Sequence, residues 1–412
     1  MDTTSLHRYC VSLCLLVMTA CLALPLCAQT NADIQRLNNE IELLKRELRK
    51  SNSGSDRATQ DRLARLEMAV EELKENIGSR AIAHAFEGIK LDIGGFLHSA
   101  YTYVDTDDVG LGSFNRQNFE LLIGAELTDS WSAFIAGGFL RESDDPFAEG
   151  SRTDPKFDTN NRNPLIIGWA NYRKADMFNV RIGRMITPHG IINIQHFPAT
   201  LYDPEQPQFL RPFGGNTIFP NFSTGIQAHG KHFGSVLNFE YAAYLTNATG
   251  VGNMQANSEE LSGARFALGS ANGLVTLGLN FSDAYRGTTD SDYTMQGADL
   301  HINAGLLEIK TEYYETQEEQ GGDREAYYVQ PILQLTDRWS VFYRYDFLNA
   351  GEVYGQSTEN VVGINYAPTY NIRFRLTSTQ KEFEEGFTNA SLSAPLGNSE
   401  ANILQVSGTF SF

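Results

Sequence analysis

Residues 326–383 read AYYVQPILQLTDRWSVFYRYDFLNAGEVYGQSTENVVGINYAPTYNIRFRLTSTQKEF. In Trp339–Phe347 the odd positions (Trp339, Val341, Tyr343, Tyr345, Phe347) are apolar or aromatic, and Ser340, Arg344 and Asp346 lie between them. In 372–376, Arg373 and Arg375 alternate with Ile372, Phe374 and Leu376. A period of two puts alternate residues on opposite faces of a pleated strand. The segment divides into strands 326–336, 338–349, 358–367 and 371–383. Their connections are unequal. Thr336-Asp337 and Pro368-Thr-Tyr370 are tight turns, whereas 350–357 is a longer Gly-rich loop.

The same texture extends from about Lys90 to the end. It predicts further strands at 90–104, 116–127, 131–141, 164–174, 177–187, 222–232, 234–247, 261–270, 273–284, 294–303, 305–316 and 400–412. The total is sixteen, an even number. Tight turns at Thr128–Ser130, Lys174–Asp176, His232–Gly234 and Ala271–Gly273 alternate with long loops at 105–115, 142–163, 188–221, 248–260, 285–293, 317–325 and 384–399. Short connections at one end and long ones at the other mark a closed transmembrane barrel, and a soluble sandwich has no reason for them. The faces then follow. Phe178, Val180 and Ile182 point to lipid and Asn179 and Arg181 to the lumen, while Glu308, Lys310 and Glu312 line the lumen on another strand. A charge on the lipid face would cost about 2–4 kcal/mol at the midplane. The predicted fold is therefore an all-β transmembrane barrel of about 16 antiparallel strands with a polar lumen. Aromatics near strand ends (Trp131, Trp169, Tyr172, Tyr313, Tyr314, Tyr327, Tyr328, Trp339, Tyr366) are read as interfacial girdles.

One connection differs from the rest. Residues 187–222, TPHGIINIQHFPATLYDPEQPQFLRPFGGNTIFPNF, carry six prolines and no strand alternation or helical period. They also carry Ile191, Ile192, Phe197, Leu201, Phe209, Leu210, Ile218 and Phe219, which favour burial. A long apolar loop without regular structure is usually functional. Here it is expected to fold into the lumen and narrow it.

The N-terminal portion has another character. Arg8, the apolar run from Val11 and Leu26-Cys27-Ala28 form a secretory signal, residues 1–28, cleaved after Ala28. All four cysteines lie in it, so the mature chain has no thiol for a disulfide, a metal or nucleophilic catalysis. Residues 29–80 are expected to form a periplasmic α-helical coiled coil. Ile34, Leu37, Ile41, Leu44 and Leu48, then Leu63, Leu66, Val70, Leu73 and Ile77, follow three- and four-residue steps. A short connector leads to the barrel, assigned to 86–412.

Composition narrows the function. The net charge is −18 and stays so without the signal, which contributes one acid and one base, so nucleic acid is not an expected partner. No cofactor is expected. No metal site is expected either. Asp105-Thr-Asp-Asp108-Val-Gly110 begins like a calcium loop but lacks the bidentate glutamate at the twelfth place, and the spacing of His189 and His196 is not a ligand signature. No GxSxG or Ser/His constellation suggests an enzyme.

The last strand, Asn402–Phe412, alternates and ends on phenylalanine, which resembles the assembly signal of bacterial outer-membrane proteins. Arg181-Ile-Gly-Arg184 followed by Pro188-His-Gly190 resembles the strand-to-loop segment of Gram-negative porins, including the phosphate-selective O/P type. The longest loop follows the fifth strand, as the constriction loop does in general porins. A coiled coil before a barrel resembles trimeric porins of the dicarboxylate-associated kind, and Arg62-x-x-x-x-Glu67 resembles a three-stranded coiled-coil motif. The resemblance implies a homotrimeric outer-membrane diffusion channel for small hydrophilic solutes or ions, in contact with lipid and lipopolysaccharide. In such a channel selectivity lies in constriction charges. The candidates are Arg181, Arg184, Arg344, Arg373, Arg375 and Lys231 on the wall, with Arg211 as a loop anchor, opposed by Glu120, Asp203 and Glu205. The same residues, as ion pairs, would pin the loop. A dense basic ladder for phosphate is missing. The alternative is a structural envelope protein whose barrel only anchors the coiled coil.

Overall fold

The computed structural model describes residues 89–105, 110–142, 165–211, 218–247, 260–286, 291–319, 322–352, 355–384 and 400–412. The expected signal segment, the expected coiled coil and most of the long loops lie outside the described residues.

Sixteen antiparallel strands close into one barrel in which each strand pairs with its sequence neighbours and the first with the last. They are β1 (Lys90–Asp105), β2 (Gly110–Glu126), β3 (Trp131–Glu142), β4 (Leu165–Ala175), β5 (Phe178–Ile186), β6 (Phe222–Phe233), β7 (Leu237–Asn247) and β8 (Glu260–Ser270), followed by β9 (Val275–Arg286), β10 (Ser291–Ala304), β11 (Leu307–Glu318), β12 (Arg324–Gln334), β13 (Trp339–Asn349), β14 (Gln356–Thr369), β15 (Ile372–Phe383) and β16 (Glu400–Ser411). At the seam Gly95 and Phe412 exchange backbone hydrogen bonds of 3.1 and 3.0 Å, and the Phe412 ring stacks on Phe119. Closure leaves no edge strand. β2 begins at Gly110, six residues before the sequence placed it. The Gly-Leu-Gly-Ser run hides its alternation, and a register shift between Ala100 and Thr102 lets the hairpin continue.

Alternation sorts the two faces. On β9, Leu277, Leu279 and Phe281 are about half exposed on the outside, at 48, 45 and 45 %, while Asn280 is fully buried inside. A belt of exposed apolar side chains around polar inward ones is the pattern a barrel in lipid requires. It also explains a mean hydropathy of only −0.30.

The short turns reuse one device. Leu-Thr-Asp-x-Trp-Ser occurs at 127–132 and 335–340. In each, the threonine hydroxyl accepts from two backbone N–H groups, those of Ser130 and Trp131 and those of Arg338 and Trp339, and the tryptophan opens the next strand. Trp131 then packs on Tyr172 and Trp339 on Tyr366. Tyr314 and Tyr328 do not join such girdles. Both are 0 % exposed and point inward under the loop, because their strand positions share the face of Glu312 and Ala326. Trp169 also lies on the inner face, under the Arg181 guanidinium.

Gly183 in β5 has φ +129°, and a Cβ there would meet the Gly168 carbonyl and the Trp169 backbone. Both objections are to backbone and cannot be relieved by a rotamer. Gly183→Val is expected to cost at least about 1–3 kcal/mol. The check is the temperature at which the folded barrel converts to its slow-migrating form on gels, which should fall.

Candidate functional site

The chain between β5 and β6 turns into the lumen. Its neck is closed by the Thr187 N–H, which donates to the Asn221 carbonyl (2.9 Å), and by the Asn193 amide, which donates to the Thr187 carbonyl (2.7 Å). A single helical turn follows, α1 (Ile192–Gln195). It has no side-chain cap of its own. Glu312 of β11 replaces it: one carboxylate oxygen accepts from the N–H groups of Ile191 (3.0 Å) and Ile192 (2.8 Å), and the hydroxyls of Tyr328 (2.7 Å) and Tyr314 (2.9 Å) complete its shell. Orphan N–H groups at a helix start attract an anion. His189 sits between Tyr244, at 2.6 Å from Nε2, and Asn280, at 3.3 Å from Nδ1.

An apolar seal lies beyond this anchor. Leu201, Phe209, Leu210, Ile218 and Phe219 of the loop pack with Leu261, Met295, Tyr314, Tyr328 and Leu348 of the wall. Each such side chain contributes about 1.5–3 kcal/mol when fully buried. Burial thus holds the proline-rich segment, whose own backbone hydrogen bonds are scattered and form no strand ladder.

The middle of the loop is fixed by charge. Asp203 meets Arg344 at 2.7 Å, and Arg344 also donates to the Glu205 carbonyl at 2.9 Å. Glu205 pairs with Arg116 of β2 at 2.6 Å and accepts from Gln405 of β16 at 2.9 Å. Arg211 forms a two-pronged pair with Glu359 (2.7 and 2.6 Å), which Lys381 also reaches at 2.9 Å. The Gln208 N–H donates to Asp346 at 2.8 Å. Four acids (Asp203, Glu205, Asp346, Glu359) and four bases (Arg116, Arg211, Arg344, Lys381) therefore balance. Two further arginines grip backbone: Arg373 donates to the Leu201 carbonyl (3.1 Å), and Arg375 to those of Leu201 (2.8 Å) and Pro198 (2.5 Å). Tyr202 donates to Glu308 (2.9 Å), and its ring lies between Lys310 and Arg373.

Six of the residues singled out from sequence therefore meet at the loop: Asp203, Glu205, Arg211, Arg344, Arg373 and Arg375. Arg181 and Arg184 stay apart on β5. Arg184 donates to the Ile166 carbonyl (2.9 Å) and lies over the Phe222 ring. Arg181 lies 4.3 Å over Trp169, and its donation to Gln227 is 3.3 Å long. Lys231 pairs with Glu240 at an exposed position, and Glu120 is buried, accepting from Asn118 at 2.8 Å. Arg116, Glu359, Lys381 and Gln405 were not singled out. Glu359 and Lys381 occupy inward positions of expected strands, so strand parity identifies them; Arg116 stood at a misplaced strand start. Among the described residues no group of three metal-ligating side chains converges.

Burial in the loop holds the His189 imidazole down to about 3 and His196 down to about 4. His189 faces Tyr244, Asn280 and Phe219, with Arg265 near enough to oppose its protonation; His196 faces Phe197, Phe222 and Gln206. Burial raises Glu205, but Arg116, Arg211 and Gln405 outweigh it and hold the carboxyl below its usual range. Freed from the lumen, each histidine would titrate near 6.5. Acid therefore favours the undocked loop from about pH 6.5 downward. At pH 5 the loss is about 2 kcal/mol for each histidine. Protease cleavage within 187–221 of the folded barrel should rise between pH 7.5 and pH 5. Equal cleavage at both would contradict the assignment of two neutral histidines.

No protein-family model matches the sequence, and no curated protein matches it. Solved structures share its fold. An anion-selective porin from Comamonas acidovorans superposes with a TM-score of 0.57 at 13 % identity, covering 79 % of this chain and 100 % of that one. Salmonella typhi OmpF, in complex with daunomycin, gives 0.56 at 13 %, covering 79 % and 98 %. The trimer form of Vibrio cholerae OmpT gives 0.51 at 12 %, covering 79 % and 100 %. The sixteen-stranded barrel is thus the fold of outer-membrane porins.

Proposed function

We propose that the chain is a passive diffusion channel of a bacterial outer membrane, open to small hydrophilic solutes and ions, with loop 187–222 as its constriction. The observation that carries this reading is the loop itself. A barrel serving only as an anchor needs no inward segment tied to its wall by a helix-start carboxylate, an apolar seal and eight balanced charges. The hydrogen bonds, ion pairs and ring contacts of the described loop run to β1, β2, β6, β7, β9 and β11–β16. None runs to the inner face of β3–β5 among the described residues, and that face is the side proposed for the passage. The outer apolar belt supplies the lipid contact, with lipopolysaccharide around the long-loop end.

The finer parts belong to the same proposal. Residues 1–28 direct export, and 29–80 form a periplasmic coiled coil. The protein is a homotrimer, a reading supported by the Arg62-x-x-x-x-Glu67 motif and by the trimer form of a fold neighbour. Swelling of liposomes in sugars of increasing size tests the function. Entry rates should fall smoothly with solute size and show no saturation with concentration. Protein-loaded liposomes no more permeable than empty ones would overturn the reading.

A further inference from the structure

The balance of charge around the passage goes beyond a generic channel. Asp203, Glu205, Asp346, Glu359, Asp299 and Glu308 each have a cationic partner. Glu312 is enclosed by four donors, and Glu120 is buried against an amide. These acids are neutralised or hidden. Six arginines among the described residues (Arg173, Arg181, Arg184, Arg338, Arg373, Arg375) have no carboxylate at ion-pair distance; Arg338 sits in a short turn, and Arg173, Arg184, Arg373 and Arg375 spend N–H groups on backbone carbonyls. Arg181 does not. Its one protein acceptor is the side-chain oxygen of Gln227, at a long 3.3 Å, and its Nε–H has no partner. One flat face is covered by Trp169, which in turn stacks on Phe134, and beside the Nη–H given to Gln227 the buried Nε–H and the second Nη group have no protein acceptor. It projects from β5, on the part of the wall that the loop does not contact.

Resting on the diffusion-channel reading, we infer that the constriction prefers anions and that Arg181 is the anion contact, favouring small monocarboxylates whose planar head matches the guanidinium fork. An arginine edge binds a carboxylate through two parallel N–H donors, a geometry that a spherical ion or an ammonium side chain cannot reproduce. The Trp169–Phe134 stack offers an apolar flank for the body of such a solute. This sign is opposite to the one the net charge of −18 suggests, so the two are easily separated.

The test is the reversal potential of the reconstituted full-length protein in a potassium chloride gradient, repeated with potassium acetate and potassium benzoate. The wild type should favour the anion in each salt. Arg181→Gln should lower the anion-to-cation ratio about fivefold, the worth of one unit-charge contact at 4 Å in water. Arg181→Lys should keep the anion sign and lose the preference for benzoate over chloride. Cation preference in the wild type, or a ratio unmoved in Arg181→Gln, overturns the inference while leaving the channel reading intact. Should Arg181→Gln fail to fold, the wild type and Arg181→Lys still decide. Absence of any current from folded protein overturns the channel reading as well.

Discussion

Replacing Arg344 with alanine will leave a folded barrel whose open current is larger and far noisier than that of the wild type. Arg344 is 1 % exposed, and its guanidinium holds Asp203 at 2.7 Å and the Glu205 carbonyl at 2.9 Å, with Asp346 at 3.7 Å. With Asp346, which accepts from the Gln208 N–H, it ties the loop to β13. Removing one partner of a buried pair leaves the other charge without compensation, at a cost of about 3–5 kcal/mol. The strand ladder does not depend on this residue, so the cost falls on the docked loop. Arg344→Lys restores a charge without the fork that spans carboxylate and carbonyl, and should recover only part of the quiet current. Single-channel recording of both variants is the check; a wild-type trace in Arg344→Ala would mean that the loop is held elsewhere.

The second large effect is expected at Glu312. Glu312→Ala removes the acceptor for the Ile191 and Ile192 N–H groups and for the hydroxyls of Tyr314 and Tyr328. A buried donor left without its acceptor costs about 1–3 kcal/mol. With four donors affected, the loss is on the order of 4 kcal/mol or more, borne where the loop leaves β5. Glu312→Gln keeps an acceptor oxygen and should be milder. Protease cleavage near Ile191 in the folded barrel reads the difference. Cleavage that is equally slow in Glu312→Ala and the wild type would contradict the anchoring role.

Strand parity explains why most of this architecture was readable from sequence. Trp339–Phe347 states its two faces outright, and the recurring Leu-Thr-Asp-x-Trp-Ser turn marks the short-connection end. Arg344, Arg373, Arg375 and Asp346 could therefore be placed inward. Their partners were harder to find, because a pair such as Arg211 and Glu359 is 148 residues apart in sequence and is joined only by how the loop falls. The aromatics misled for a related reason. Tyr314 looks like Tyr313 in composition, but one step along the strand moves it from the outer belt to the packing beneath Phe209 and Phe219. The Gly-rich start of β2 had no alternation to read at all.

On the channel reading, the inward loop narrows the lumen without sealing it. Single-channel current of the purified full-length protein in a planar bilayer tests it most directly. A stable open current at low voltage, closing in three equal steps under larger voltage, is the predicted result. No current from folded, heat-modifiable protein would contradict it and leave the barrel as an anchor.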